Sequence, residues 1–237
     1  MTSESLLIHR ARGVVFDLDG TLVDTLEDLG EALDSALLEN GLPRAARDVL
    51  LSHLHLGLAA TALAVLHALG VSKDRHEKVV GAYLKHYEAR SHRRSRLYPG
   101  VEPLLDACRQ RGQSLAVCTN KSHSDAVALL KLLGVADRFS VIVGIDTCGA
   151  AKPDPRPLLC TLERMACPVH KALFIGDSLV DAECASRSGV EFLLHAGGFG
   201  ASDVLNQWPA SRRFLNYAEL VATSEAAPCS GLPASAC

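Results

Sequence analysis

The sequence predicts an α/β fold, a doubly wound parallel sheet with a helical cap domain inserted after the first strand. Three observations carry this expectation. Short apolar runs recur along the chain and alternate with helical patterns, the mark of β-α units and a parallel sheet. That rhythm breaks between Asp24 and Pro99, where helical spacing persists but no strand pattern stands out. Hydrophobic residues make up 48% of the 237 positions, ample for a large core with a smaller one inserted in it.

The first strand is the run 13–17, apolar until it ends on the carboxylate of Asp17. A strand buried on both faces reads as such a continuous run. Similar runs follow at 114–119 (SLAVCT), 141–144 (VIVG), 172–176 (ALFIG) and 191–195 (EFLLH). Helical patterns lie between them at 101–111, 124–133, 155–165 and 179–188. Within the insert, Leu26, Leu29, Leu33, Ala36 and Leu37 repeat at helical spacing over 25–41, with Thr25 and Asp28 as a helix start. Residues 54–69 and 76–89 also read as helices, enough for a small bundle. Pro99-Gly100 marks the return to the sheet. The expected organisation is a catalytic core of 1–24 and 97–222 and a cap of 25–96. A tail of 223–237, rich in Ala, Ser, Pro and Gly, is expected to be disordered.

Lys and Arg total 24 against 27 Asp and Glu. This near balance asks for neither nucleic acid nor an anionic membrane. The apolar run at the N-terminus is too short for a signal peptide, and no run is long enough to span a bilayer. The expected location is cytoplasmic. Eight cysteines form no C-x-x-C pair and no zinc-like spacing, so most are read as small buried hydrophobes. Cys118 precedes a motif residue and is expected to point into the core.

Polar groups close three of the apolar runs. Asp17 and Asp19 stand at the end of the first, with Gly20 and Thr21 for a tight turn. Open α/β sheets bind ligands just outside the carboxyl ends of their strands. Two carboxylates crowded there repel unless a cation or a shared proton holds them. Thr119-Asn120-Lys121 closes the run 114–119, and Gly176-Asp177-Ser178 with Asp181 closes 172–176. Lys152-Pro153-Asp154-Pro155 stands just before a helix. Singly, each is an ordinary turn composition. Together and in order they form one constellation.

That constellation resembles the haloacid dehalogenase superfamily in its phosphatase form. The run from Asp17 to Asp24 is similar to the first signature, and the other three segments to the second, third and fourth, over about residues 13 to 200. The resemblance implies a haloacid dehalogenase-like Rossmannoid core, a mobile cap and magnesium. It implies that Asp17 attacks phosphorus and becomes an aspartyl-phosphate, while Asp19 acts as acid and then base. It further implies that Asp17, the backbone carbonyl of Asp19, and Asp177 hold the metal. Thr119 and the Asn120 N–H would bind phosphoryl oxygens, and Lys152 would neutralise their charge. Asp181 would act behind these, through water or by orienting Lys152.

The pattern most resembles the phosphoglycolate phosphatase branch. In that branch, cap residues reach the non-phosphate part of the substrate. The stretch Ser52-His53-Leu54-His55-Leu56-Gly57 departs from the branch's usual glycine-flanked loop and offers His53 and His55 as substrate-binding candidates. The cluster from Arg90 to Arg96 offers a basic rim, or simply a solvated helix end. The run from His195 to Gly200 is read as a flexible loop beside the site. Because Asp19 is present, the resemblance points away from dehalogenases. The cap lysines Lys73, Lys78 and Lys85 sit in polar contexts that do not suit a Schiff-base phosphonatase. The expected function is hydrolysis of a small phosphorylated metabolite. The alternatives are a phosphomutase of the same fold and a catalytically silent phosphometabolite-binding regulator. No nucleic acid or membrane partner is expected, and the sequence leaves the oligomeric state open.

Overall fold

In the computed structural model, residues 2–90 and 92–221 are described. The strands β1 (Gly13–Phe16), β4 (Ser114–Cys118), β5 (Val141–Val143), β6 (Ala172–Gly176), β7 (Glu191–His195) and β8 (Arg213–Phe214) form one parallel sheet. Its order is β5-β4-β1-β6-β7-β8. The chain winds outward in both directions from β1, so the crevice at the end of β1 is a switch point. Register does the rest. Phe16 lies beside Val117 and Ile175, which brings Asp17, Thr119 and Asp177 out along one edge.

The apolar runs are continuous because both faces are covered. Val14 and Phe16 face a core with Leu104, Leu105, Leu129 and Leu130. Val15 faces the opposite one, with Leu158, Leu162 and Ala185. The helices on the first face include α6 (Val101–Gln110) and α7 (His123–Leu132). Those on the second are α8 (Arg156–Arg164) and α9 (Leu179–Ser188). The doubly wound α/β fold is the one the sequence predicts.

The insert is built on α2 (Leu26–Glu39), α3 (Arg47–Leu51), α4 (Leu58–Ala68) and α5 (His76–Arg90). They share a separate core of Leu29, Leu33, Leu37, Leu66 and Tyr83, against which Phe199 of the sheet domain also packs. The expected helix over 54–69 is broken. Leu54–Leu56 form a 3-10 turn and the α-helix begins at Leu58. Gly57 between them has φ +85°, and a side chain there would meet the Asn120 carbonyl at 2.9 Å. That left-handed residue turns the chain where the insert touches the sheet domain.

Several elements escape the pattern reading. Val23–Asp24 (β2) and Arg96–Leu97 (β3) pair antiparallel where the chain enters and leaves the insert. Two residues are too few to show a period. The short helices α1 (Ser3–Arg10), α10 (Ala201–Gln207) and α11 (Ala218–Val221) are also new. The start of α2 differs from expectation as well. Asp24 Oδ1 accepts from the Leu26 N–H at 3.2 Å, whereas the Thr25 hydroxyl is buried without a partner among the described residues. Asp28 turns instead to the returning chain, where one oxygen accepts from the N–H groups of Arg94 and Ser95 and from the Ser95 hydroxyl.

Cys108, Cys118, Cys167 and Cys184 are free and buried, as read from the sequence. Cys148 and Cys160 are not simple core residues, because they are half-buried and joined in a disulfide. Cys229, Cys237 and the expected disordered tail lie outside the described residues. Among the described residues, no helix is long and apolar enough to cross a membrane.

Candidate active site

Asp17 is the first residue past β1, and its N–H continues the ladder to the Ile175 carbonyl at 2.8 Å. Its carboxylate is buried and accepts from Lys152 Nζ at 2.7 Å. The same ammonium donates to Asp181 Oδ1 at 2.6 Å. Lys152 reaches this position from the loop between β5 and α8. Asn120 fixes that loop: its Oδ1 accepts from the Lys152 N–H at 2.9 Å, and its Nδ2 donates to the Lys152 carbonyl at 3.0 Å. The side chain of Asn120 is thus a clamp between the second and third motifs, a role its spacing does not reveal.

Asp177 follows β6. It accepts from the Thr21 hydroxyl at 2.9 Å and from the Gly200 N–H at 3.2 Å. The loop after β7 therefore packs directly on the site. At Gly198 a Cβ would fall 2.2 Å from that of Asp177, so only glycine permits the approach. Asp181 Oδ2 accepts from the N–H groups of Asp177 and Ser178 and from the Ser178 hydroxyl. Both its oxygens are engaged, one of them on Lys152.

The electrostatics are those of crowded, buried acids. Asp17, Asp177 and Asp181 offer oxygens within 4.8 Å of one another. Burial, opposed by Lys152 and reinforced by Asp181, pushes Asp17 up to about 7. Burial and the neighbouring carboxylates raise Asp177 well above the carboxylate range. Burial works against the charge of Lys152, but Asp17 and Asp181 outweigh it and hold the ammonium above its usual range. Of these three buried carboxylates, two are paired with the Lys152 ammonium and Asp177 is not. A second cation would relieve that repulsion, and an all-oxygen donor set suits a hard divalent ion.

Asp19 stands apart from this cluster. Its two oxygens accept from Lys121 Nζ at 3.1 and 2.9 Å. Lys121 is itself buried, with Nζ 5.0 Å from the ring centre of Tyr87 on α5. Burial opposes its charge, yet Asp19 and then Tyr87 hold it above the usual lysine range. Lys121 has no role among the site residues expected from the sequence. The available signal was a lysine two residues past a strand end, beside a threonine and an asparagine. Thr119 is buried behind it, its hydroxyl accepting from the Lys121 N–H at 3.1 Å.

The insert closes over these groups. Asp17, Asp19, Thr119, Asn120, Lys121 and Lys152 face Leu29, Leu54, His55, Leu58, Thr61 and Tyr83 across a cavity of about 30 Å³. His55 lines it, and burial lowers its pKa below the usual histidine range. His53 does not. Its Nδ1 lies 2.7 Å from the Val49 carbonyl and 3.0 Å from the Ser52 hydroxyl, within the cap's own turn. The Tyr83 hydroxyl is buried with no hydrogen-bond partner among the described residues. Cys118 packs in the core behind the site, and burial pushes its thiol up to about 12. Lys73, Lys78 and Lys85 are exposed and line no part of the cavity. In the basic cluster, Arg90 pairs with Glu31 and Arg94 with Glu27, both on α2.

Residues 14–195 match the family of haloacid dehalogenase-like hydrolases. The chain is 35% identical to a phosphoglycolate phosphatase of Cereibacter sphaeroides strain ATCC 17025, over 88% of this chain and 95% of that one. It is 35% identical to a phosphoglycolate phosphatase of Aquifex aeolicus, over 79% of this chain and 86% of that one. Among solved structures, a predicted phosphoglycolate phosphatase from Haemophilus somnus superposes with a TM-score of 0.83 at 26% identity, covering 90% of this chain and 97% of that one.

Proposed function

The chain belongs to the haloacid dehalogenase-like hydrolase family, and we propose that it is a magnesium-dependent phosphatase of small metabolites acting through an aspartyl-phosphate. It is a phosphoric monoester hydrolase. The observation that carries the finer reading is the bridge from Lys152 to Asp17 and Asp181, beside Asp177, at the end of the central strand. Phosphoglycolate is the first substrate to try, since the named relatives act on it.

In this mechanism a carboxylate oxygen of Asp17 attacks phosphorus as the bond to the leaving oxygen breaks. Asp19 gives its proton to that oxygen and the alcohol departs. Asp19 then takes a proton from water, which attacks the phosphorus and frees Asp17 and phosphate. Lys152 compensates charge on the transferring group throughout. The Thr119 hydroxyl and the Asn120 N–H are the donors for its oxygens. Asp17, Asp177 and the backbone carbonyl of Asp19 would hold magnesium, which supplies charge against the repulsion between carboxylate and phosphoryl oxygens. Asp181 keeps Lys152 aimed at Asp17.

A cavity of about 30 Å³ holds little more than one water. Substrate entry therefore requires the cap to swing away, and closure then keeps bulk water from the reacting atoms. A phosphomutase would use the same core groups. Phosphate release rather than isomer formation separates the two.

The test is phosphate release from p-nitrophenyl phosphate and from phosphoglycolate with magnesium present. Exhaustive chelation is expected to silence both reactions and added magnesium to restore them. Full activity after chelation would remove the metal from the account. The two cap histidines are expected to differ. His55→Ala should change the preference among phosphate esters by about tenfold, as loss of a cavity-lining group does. His53→Ala should act mainly on stability, read as a lower melting temperature, because its ring bonds only within the cap. Equal kinetic effects of the two variants would contradict the assignment.

A further inference from the structure

The turn that follows Asp17 is held by two buried side chains with no task in the mechanism above. The carbonyls of Leu18, Leu22 and Val23 accept from nearby backbone. Leu18 receives the N–H groups of Thr21 and Val23, Leu22 that of Tyr98, and Val23 that of Gly20. Gly20 and Thr21 are served from the far end of the chain. The Gly20 carbonyl lies 3.0 Å from His195 Nδ1, and the Thr21 carbonyl accepts from the Tyr217 hydroxyl at 2.7 Å. Within the run 18–23, the Asp19 carbonyl alone accepts no hydrogen bond from the described residues.

Packing does not explain these two residue types. His195 ends β7 in an aromatic cluster. Its ring stacks on Phe214 at 5.2 Å, meets Tyr98 edge-on at 4.7 Å and lies 5.1 Å from Tyr217. His195 and Tyr217 are both buried. Phenylalanine would fill either place in that cluster. What histidine and tyrosine add is one N–H and one O–H, and each goes to a carbonyl of the same turn. A carbonyl can only accept, so Nδ1 of His195 carries the proton.

The consequence falls on the groups that would hold the metal. Gly20 has φ +84°, so the turn is built on the residue with the freest backbone. Pinning the carbonyls of Gly20 and Thr21 fixes the two peptide units that follow Asp19 and leaves its own carbonyl open. Thr21 carries the same support to a second ligand. While its carbonyl accepts from Tyr217, its hydroxyl donates to Asp177 Oδ1 at 2.9 Å.

We propose that His195 and Tyr217 are positioning residues for the metal. By holding the Gly20 and Thr21 carbonyls they keep the Asp19 carbonyl as the free ligand of the turn and keep Asp177 in register with it. Neither residue lines the cavity, so both act through the turn. This rests on the magnesium assignment given above and names the residues that support it from behind.

The experiment measures metal binding without turnover. Manganese is the probe, because it shares magnesium's preference for oxygen ligands. Its free-ion paramagnetic resonance signal falls as it binds. His195→Phe and Tyr217→Phe keep an aromatic ring and delete the donor. Each is expected to weaken manganese binding by about tenfold or more, the usual effect of removing a group that orients a ligand. His195→Asn returns an N–H donor and is expected to bind the ion more tightly than His195→Phe. Phe214→Leu disturbs the same cluster without removing a donor. It should lower the melting temperature and leave manganese affinity unchanged. Tyr217→Phe removes one oxygen atom, so it carries the test even if His195→Phe fails to fold. Unchanged affinity in either donor-deleting variant would overturn the inference for that residue. An equal loss in Phe214→Leu would assign the effect to packing and overturn it for both. A wild type that binds no manganese, and whose phosphate release survives chelation, would instead bring down the metal assignment itself.

Discussion

Asp17→Asn is expected to abolish turnover of every phosphate ester. The amide has nearly the shape of the carboxylate and can still accept from Lys152, so the strand end should keep its form. It cannot attack phosphorus. Loss of a nucleophile that works in concert with its neighbours costs at least about ten-thousandfold in kcat. Folding should not suffer, because one of three crowded carboxylates has been neutralised. A melting temperature at or above that of the wild type, with no phosphate release, is the expected pair of results. Substantial activity in a clean preparation would remove Asp17 from the nucleophile role.

The second large effect concerns Asp19. Asparagine is the better replacement, since its oxygen can still accept from the buried Lys121 ammonium and spare that charge from isolation. Asp19→Asn should slow hydrolysis of an alkyl phosphate by about a hundredfold or more, because an alkoxide needs its proton in the transition state. A nitrophenolate leaves without help, so transfer to Asp17 should remain fast with p-nitrophenyl phosphate. Release from Asp17 still needs a base for the water. Stopped-flow traces should therefore show a burst of nitrophenol followed by slow turnover. Equal slowing of both substrates with no burst, at normal magnesium affinity, would assign the proton to another group.

The sheet was legible because its strands are buried on both faces, which writes them as unbroken apolar runs ending on polar groups. Asp17, Thr119 and Asp177 could be assigned to one edge because parallel strands in register end together. Helices such as 179–188 were legible for a different reason, a sustained helical period. The β2–β3 ribbon was not, since two residues per strand carry no pattern. The turn at Gly57 was hidden because the apolar spacing runs on through it. In the site, roles set by long-range contact were the ones missed. Nothing near Asn120 in the sequence shows that its side chain clamps residue 152, and nothing near Lys121 shows that it holds residue 19. His53 and His55 look alike in sequence, two residues apart. Only the tertiary turn sends one to the cavity and the other to the Val49 carbonyl.

The central claim is that phosphate passes through a covalent bond to Asp17. The direct measurement is a rapid acid quench of the enzyme during turnover, followed by digestion and mass spectrometry of the peptide carrying Asp17. Asp19→Asn with p-nitrophenyl phosphate is the best preparation, because its second step is slow. The account predicts a peptide heavier by one phosphoryl group, with the added mass localised on Asp17 and removed by hydroxylamine. An unmodified Asp17 peptide at all times through a measured burst, or phosphate found on another residue, would contradict it.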